Sequence, residues 1–297
     1  MKLLLLGHNG WIGHMYMKLL DNGNVPYITT DLRYENPVLF DFIQKNKCTH
    51  VLCCSGRTHG THNGIPYNTI DYLQENDMLD VNINDNLYIP LSIGIYCKDH
   101  HVHFTYIGTG CIYEYDNLHL EEPSPINGFT EKDIPNFKGS NYSLVRGYTD
   151  RLLSQIGALN LRIRMPITNE AHKRNFVTKI IAYKKICSRP NSMSVLDDLL
   201  PISLDMLSNN ITGTFNFTNP GHITHNKILE MYRDIVDPSF QWDNFTVEEH
   251  DAILKSKRSN NYLDTSKISQ LYDIPNIIDS VRASLLQMKM KMNIKIQ

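Results

Sequence analysis

The chain has 297 residues, enough for one large α/β core or a core with a smaller lobe. Hydrophobic residues make up 41% and charged residues 20%, the balance of a soluble globular protein rather than a disordered or membrane-embedded one. Lys and Arg total 29 against 31 Asp and Glu, so a net charge of −2 gives no basic field for nucleic acid or an anionic membrane.

Leu3–Leu6 is a short apolar run suited to a central parallel strand, buried on both faces. Glycines follow at 7, 10 and 13, and Ile12, Met15, Tyr16, Leu19 and Leu20 then recur at helical spacing. The glycines therefore lie on a strand-to-helix turn. Gly7 permits the tight turn, Gly10 lets a pyrophosphate approach the backbone, and Gly13 lets helix and strand pack closely. Asn9, Trp11 and Ile12 complete the expected cradle, and the helix N-terminus offers N–H groups to phosphate.

Further strands are expected at 25–30, 51–54, 103–107 and 159–164, and helices at 38–45, 78–96 and 142–156. This alternation predicts an α/β fold: a Rossmann-type doubly wound parallel sheet with a smaller C-terminal substrate lobe. Residues 1–165 are read as the dinucleotide-binding domain. Residues 166–297 are read mainly as the substrate lobe, with some segments returning to the sheet. Short segments at 175–184 and 194–207, a strand at 214–217, and helices at 225–236 and 277–288 finish the chain.

The six cysteines show no C-x-x-C pair and no disulfide-like ladder. The opening apolar run is too short for a signal peptide, and no stretch approaches the roughly 18 apolar residues of a membrane span. A cytoplasmic setting is expected. The triplet His100, His101 and His103 lacks metal-ligand spacing, so no metal is expected. His59 and His62 are placed in a loop after the third strand.

Ligands of open parallel sheets bind beyond the carboxyl ends of the strands. Those ends carry Asp31 and Arg33 after the second strand and Ser55, Gly56 and Arg57 after the third. Thr109 and Cys111 follow the fourth. Asp31 suits the 2′-hydroxyl of NADH, whereas Arg33 or Arg57 suits the 2′-phosphate of NADPH. Tyr142 opens the next helix, and Arg146 stands one turn later on the same face.

The glycine spacing resembles that of extended short-chain dehydrogenase/reductases, and Tyr142-Ser143-Leu144-Val145-Arg146 resembles their Y-x-x-x-K signature. In that superfamily the tyrosine exchanges a proton with the reacting oxygen, a hydroxyl residue binds that oxygen, and the lysine lowers the tyrosine pKa and holds the nicotinamide ribose. Arg146 supplies the charge but is a poor proton relay, because arginine does not deprotonate in proteins. Cofactor binding is expected to survive this departure, with hydride-transfer rate the property affected. Asn82 resembles the helix asparagine of the extended reductases.

Nine segments carry a closer resemblance: 7–13, 109–116, 135–140, 161–167, 175–179, 190–193, 196–202, 216–221 and 258–261. Almost end to end, the chain is similar to the bifunctional nucleotide-rhamnose synthases, the 3,5-epimerase/4-reductases of UDP-rhamnose synthesis. It is more distantly similar to dTDP-4-dehydrorhamnose reductase.

The resemblance implies one pocket acting twice on UDP-4-keto-6-deoxy-glucose, with proton exchange at C3 and C5 and then hydride transfer from NADPH to C4. Thr109 and Tyr142 match the reductase pair, and Cys111 and Lys179 match the acid/base residues of epimerisation. Asn175, Arg258 and Asn260 match substrate positions, the last two near the diphosphate. NADPH is the expected cofactor, with NADH as the alternative. A UDP-linked sugar is expected ahead of a dTDP-linked one, and a homodimer is open. The competing readings are a single-function dTDP-4-dehydrorhamnose reductase and a non-catalytic NADP-binding regulatory subunit.

Overall fold

Four consecutive leucines without a polar partner require cover on both faces. The computed structural model, which describes residues 1–32, 37–122 and 127–294, supplies it. Strand β1 (Leu3–Leu6) is wholly buried between β2 (Tyr27–Thr29) and β3 (His50–Cys53), parallel to both. The sheet continues through β6 (His103–Thr109), β7 (Leu159–Ile163) and β9 (Gly213–Asn216), giving the order β2-β1-β3-β6-β7-β9. The chain leaves β1 for β2 on one side and returns to β3 on the other. That reversal creates the switch point at which ligands of such sheets bind.

Helices alternate with these strands as the spacing predicts. They are α1 (Trp11–Asn22), α2 (Val38–Lys45), α4 (Ile89–Asp99), which a short α3 (Leu79–Ile83) precedes, and α5 (Asn141–Gln155). The helix expected over 78–96 is present without interruption over 79–99, with a π turn at Asn84–Tyr88 joining α3 to α4. Pro90 is the physical reason. Its ring crowds the carbonyl four residues back, that of Asn86, which turns to accept the Thr149 hydroxyl at 2.6 Å.

The loop expected to hold His59 and His62 is partly a hairpin, β4 (Gly60–His62) with β5 (Ile65–Tyr67). His62 is paired there with Asp77 at 2.7 Å. The remaining elements are α6 (Phe176–Ile180), β8 (Lys185–Ile186), α7 (Leu196–Ser208), α8 (His225–Ile235), β10 (Asp243–Asn244), α9 (Val247–Ile253), α10 (Ser266–Ser269) and α11 (Ile277–Ile294).

The chain divides into two compact units. The first comprises residues 1–112, 137–162 and 203–215, and the second 113–136, 163–202 and 216–297. In the first, Leu4, Leu6, Val51, Phe104 and Tyr106 of the sheet pack with Leu39, Ile43 and Ile93 of the helices. In the second, Val177, Ile228, Leu229, Val281 and Leu285 build a separate core.

Helix α5 is fastened with particular care. Ser140 caps it by accepting from the Ser143 amide at 3.1 Å. Asp150 receives a two-pronged pair from Arg162 of β7 at 2.9 and 2.7 Å, with both charged groups buried. Breaking such a pair from one side costs about 3–5 kcal/mol. The helix face bearing Tyr142 and Arg146 is thereby fixed against the sheet.

Candidate active site

The glycine turn meets the geometric demands of a phosphate cradle. Gly7 has φ +81, and a Cβ there would lie 2.9 Å from Ser55 Oγ. At Gly13 a Cβ would fall 2.2 Å from the Gly7 carbonyl oxygen, so any larger residue would force α1 off the strand. Gly10 stands at the N-cap of α1 with no side-chain cap, at the positive end of the helix dipole. Trp11 and Ile12 open that helix.

Asp31 lies beyond the end of β2 and accepts from Asn9 Nδ2 at 2.8 Å, with His8 Nε2 at 3.4 Å. Thus the Asp31 carboxylate and the glycine turn are joined directly. Arg33 lies outside the described residues. Arg57 is committed locally: its Nε donates to Asp85 at 2.6 Å, and its backbone N–H donates to Asn86 Oδ1 at 2.8 Å. Asn86 in turn donates to the Arg57 carbonyl and to Asn82 Oδ1. The asparagine that shapes the Ser55–Arg57 turn is therefore Asn86. Asn82 stands behind it, wholly buried, with its Nδ2 unpartnered. At Gly56 a Cβ would come within 3.2 Å of both Arg146 Nη1 and Asn86 Oδ1.

Tyr142, Thr109, Arg146 and Cys111 meet at the end of β6. Burial raises the pKa of the Tyr142 phenol, while the Arg146 cation and a hydrogen bond with Thr109 pull it back. Thr109 Oγ accepts the Cys111 amide at 3.1 Å, which leaves its own proton to be donated. Arg146 is buried and donates to the Tyr106 hydroxyl and to the Ile107 carbonyl, the latter at 3.0 Å. Its guanidinium carbon stands 5.8 Å from the Tyr142 ring centroid. Burial opposes its charge, but Tyr106, Tyr142, Cys53 and Asp150 outweigh that and raise its pKa.

In the second unit, Lys179 lies on α6 and its pKa is lowered by burial and then by Arg174 and Arg258. Asn175 is the N-cap of that helix, accepting from Val177 N at 3.1 Å and donating to the Thr168 and Glu170 carbonyls at 2.8 Å. It is fully buried and caps the helix that carries Lys179. Arg258 donates to the Ser256 carbonyl at 2.8 Å, and Asn260 Oδ1 accepts from Asn191 at 2.9 Å.

Three contributors escaped the sequence reading: Tyr106, Asn86 and Arg174. Asn86 alone had a local signal, since it follows Asn82 by one helical turn. A shallow cavity of about 310 Å³ bounded by Lys98, His103 and Asn210 holds none of the expected site residues; it opens at the start of β6, away from the glycine turn.

No family model matches the chain. The solved structure of the L780 UDP-rhamnose synthase from Acanthamoeba polyphaga mimivirus is similar at 45% identity, covering 97% of this chain and 99% of that one, with a TM-score of 0.91. The bifunctional dTDP-4-dehydrorhamnose 3,5-epimerase/dTDP-4-dehydrorhamnose reductase of Arabidopsis thaliana is 38% identical over 299 residues, 98% of this chain and 93% of that protein. The chain belongs to the nucleotide-rhamnose synthase family. A trifunctional member, the Arabidopsis thaliana RHM1 enzyme, is 40% identical over 290 residues, and the chain spans about two-fifths of its length. The family carries the Rossmann-type fold seen here, and its members are nucleotide-sugar enzymes.

Proposed function

We propose that the chain converts UDP-4-keto-6-deoxy-glucose to UDP-L-rhamnose, by 3,5-epimerisation followed by NADPH-dependent reduction at C4. The observation that carries this reading is the meeting of Thr109, Tyr142, Arg146 and Cys111 at one strand end. The Gly7, Gly10 and Gly13 cradle, which added Cβ atoms would fill, fits a dinucleotide diphosphate, and Asp31 with Asn9 suits the adenosine ribose. When bound, NADPH supplies the hydride for C4.

The chain's own residues do the remaining work. Thr109 donates a hydrogen bond to the C4 oxygen, and Tyr142 passes it a proton as the alcohol forms. Arg146 holds a fixed positive charge beside the phenol and stabilises any phenolate. Cys111 and Lys179 remove and return protons at C3 and C5, the carbons α to the ketone. Burial and the neighbouring Arg174 and Arg258 charges lower the Lys179 pKa, the direction in which a lysine becomes a better-populated base. Arg258 and Arg174 supply positive charge suited to a nucleotide diphosphate.

Six free cysteines support a reducing, cytoplasmic setting. No helix among the described residues is long and apolar enough to cross a membrane. Leu144, Tyr148 and Leu152 form an exposed apolar row on α5 at four-residue spacing, which supports a homodimer.

Incubating the purified chain with UDP-4-keto-6-deoxy-glucose and NADPH tests the reading. UDP-L-rhamnose is the expected product. A 4-epimeric D-sugar formed by reduction without epimerisation would leave a single-function reductase.

A further inference from the structure

Arg146 stands where the signature of short-chain reductases has lysine, and the structure shows what accompanies the exchange. Its guanidinium reaches β6 twice: Nη1 donates to the Tyr106 hydroxyl and Nη2 to the Ile107 carbonyl at 3.0 Å. The guanidinium carbon lies 4.8 Å from the Tyr106 ring centroid and 5.8 Å from that of Tyr142. A planar guanidinium can make both bonds while facing both rings, whereas an ammonium has one nitrogen and no face. Tyr106 is 1% exposed, so its hydroxyl cannot turn to water if that partner is removed.

We propose that Tyr106 is a positioning residue for C4 reduction: its hydroxyl pins the Arg146 guanidinium beside Tyr142, and the two side chains act as a matched pair in place of lysine. The inference rests on the reductase reading above. Tyr106 is buried and acts through Arg146. The groups that face the pair are Tyr142 and Asp150 from α5 and Cys53 from β3. Of these, Tyr142 is the proton carrier, so the placement of the Arg146 charge sets the pH at which the phenol ionises.

The test is a double-mutant cycle on single-turnover hydride transfer in the whole chain: wild type, Tyr106→Phe, Arg146→Lys, and both together. Tyr106→Phe is expected to slow transfer roughly tenfold. It should also move upward the pH at which UDP-L-rhamnose oxidation by NADP⁺ reaches its plateau, because that direction needs the phenolate. Arg146→Lys alone is expected to slow transfer, since it strands the Tyr106 hydroxyl. The double variant should regain several-fold over Arg146→Lys, because phenylalanine leaves nothing stranded.

If Tyr106→Phe does not fold, the comparison of Arg146→Lys with the double variant carries the test alone. A double variant no faster than Arg146→Lys overturns the proposal, as does an unmoved pH plateau in a folded Tyr106→Phe. A wild-type chain that transfers no hydride at all overturns the reductase reading itself, which distinguishes the two failures.

Discussion

The hydroxyl oxygen of Thr109 accepts the backbone N–H of Cys111 at 3.1 Å, and this bond ties the residue proposed for reduction to the one proposed for epimerisation. With one of its two lone pairs occupied there, the hydroxyl keeps its proton to donate beside Tyr142. Enolate formation and carbonyl reduction both build negative charge on the C4 oxygen, so one donor serves both steps.

Thr109→Val should therefore depress deuterium exchange and reduction together, by about 10²–10³-fold, the cost of losing one oriented oxyanion donor. Thr109→Ser should retain most of both. NADPH affinity should be unchanged in each variant, as measured by fluorescence titration. A valine variant that loses reduction alone would separate the two oxyanion sites.

A second prediction concerns the cofactor. The Asp31 carboxylate is shared with Asn9 at 2.8 Å and His8 at 3.4 Å, which disperses the charge that would otherwise repel a 2′-phosphate. NADPH should bind at least several-fold more tightly than NADH. Asp31→Asn should widen that preference, because it removes the remaining repulsion and weakens the acceptor for the NADH ribose. Arg57→Ala should change it little, since Arg57 already pairs with Asp85 at 2.6 Å. Equal Kd values for the two cofactors in wild type would leave Asp31 as a plain ribose ligand.

Much of this was legible because its signals are local. The glycine turn, the strand–helix alternation and the Tyr142/Arg146 spacing each lie within a few residues, where periodicity speaks directly. What the sequence hides is what pairs at a distance. Tyr106 lies 40 residues from Arg146, and nothing in either neighbourhood marks the contact. Asn175 shows the converse: its motif points to substrate, but its depth and its three partners make it a cap. The π turn at Asn84–Tyr88 is written in Pro90, yet the apolar spacing runs straight through it.

A third prediction follows from His225 in the second unit. Its Nδ1 lies 2.6 Å from the Cys187 carbonyl oxygen, so the neutral ring donates there, and burial lowers its pKa from 6.5 to about 4. Because the folded value lies below the unfolded one, protonation favours the unfolded chain. The contribution to stability is present above pH 6.5 and is lost as pH falls toward 4. The full loss is ~3 kcal/mol, from 1.36 kcal/mol per pH unit. His50, His103, His172, His222 and His250 are also lowered and add to the wild-type slope. The measurement is therefore a difference: urea unfolding of wild type and His225→Gln across that range. The stability gap between them should narrow as pH falls, and a constant gap would mean that His225 does not titrate in folding.

The last prediction separates the two reactions. Removing a proton α to a ketone requires a base at the carbon, whereas hydride transfer to an already epimerised ketone requires none. With NADPH left out, reduction cannot intervene, and solvent deuterium appears at C3 and C5 only through the proposed bases. Cys111→Ala and Lys179→Ala should each abolish incorporation at one or both carbons. Both variants should still reduce a 4-keto-sugar that a separate epimerase has prepared, because Thr109, Tyr142 and Arg146 are untouched. Tyr142→Phe should do the reverse, losing reduction while keeping part of the exchange through the Thr109 donor. Lys179 adds a pH signature: burial and the Arg174 and Arg258 charges hold its pKa down, so the amine is deprotonated at lower pH than an exposed lysine. Arg174→Gln should shift the rising limb of the exchange–pH profile upward, as one of those charges is removed. Wild-type exchange in both Cys111→Ala and Lys179→Ala would sink the assignment of these residues and leave reduction as the chain's single chemistry.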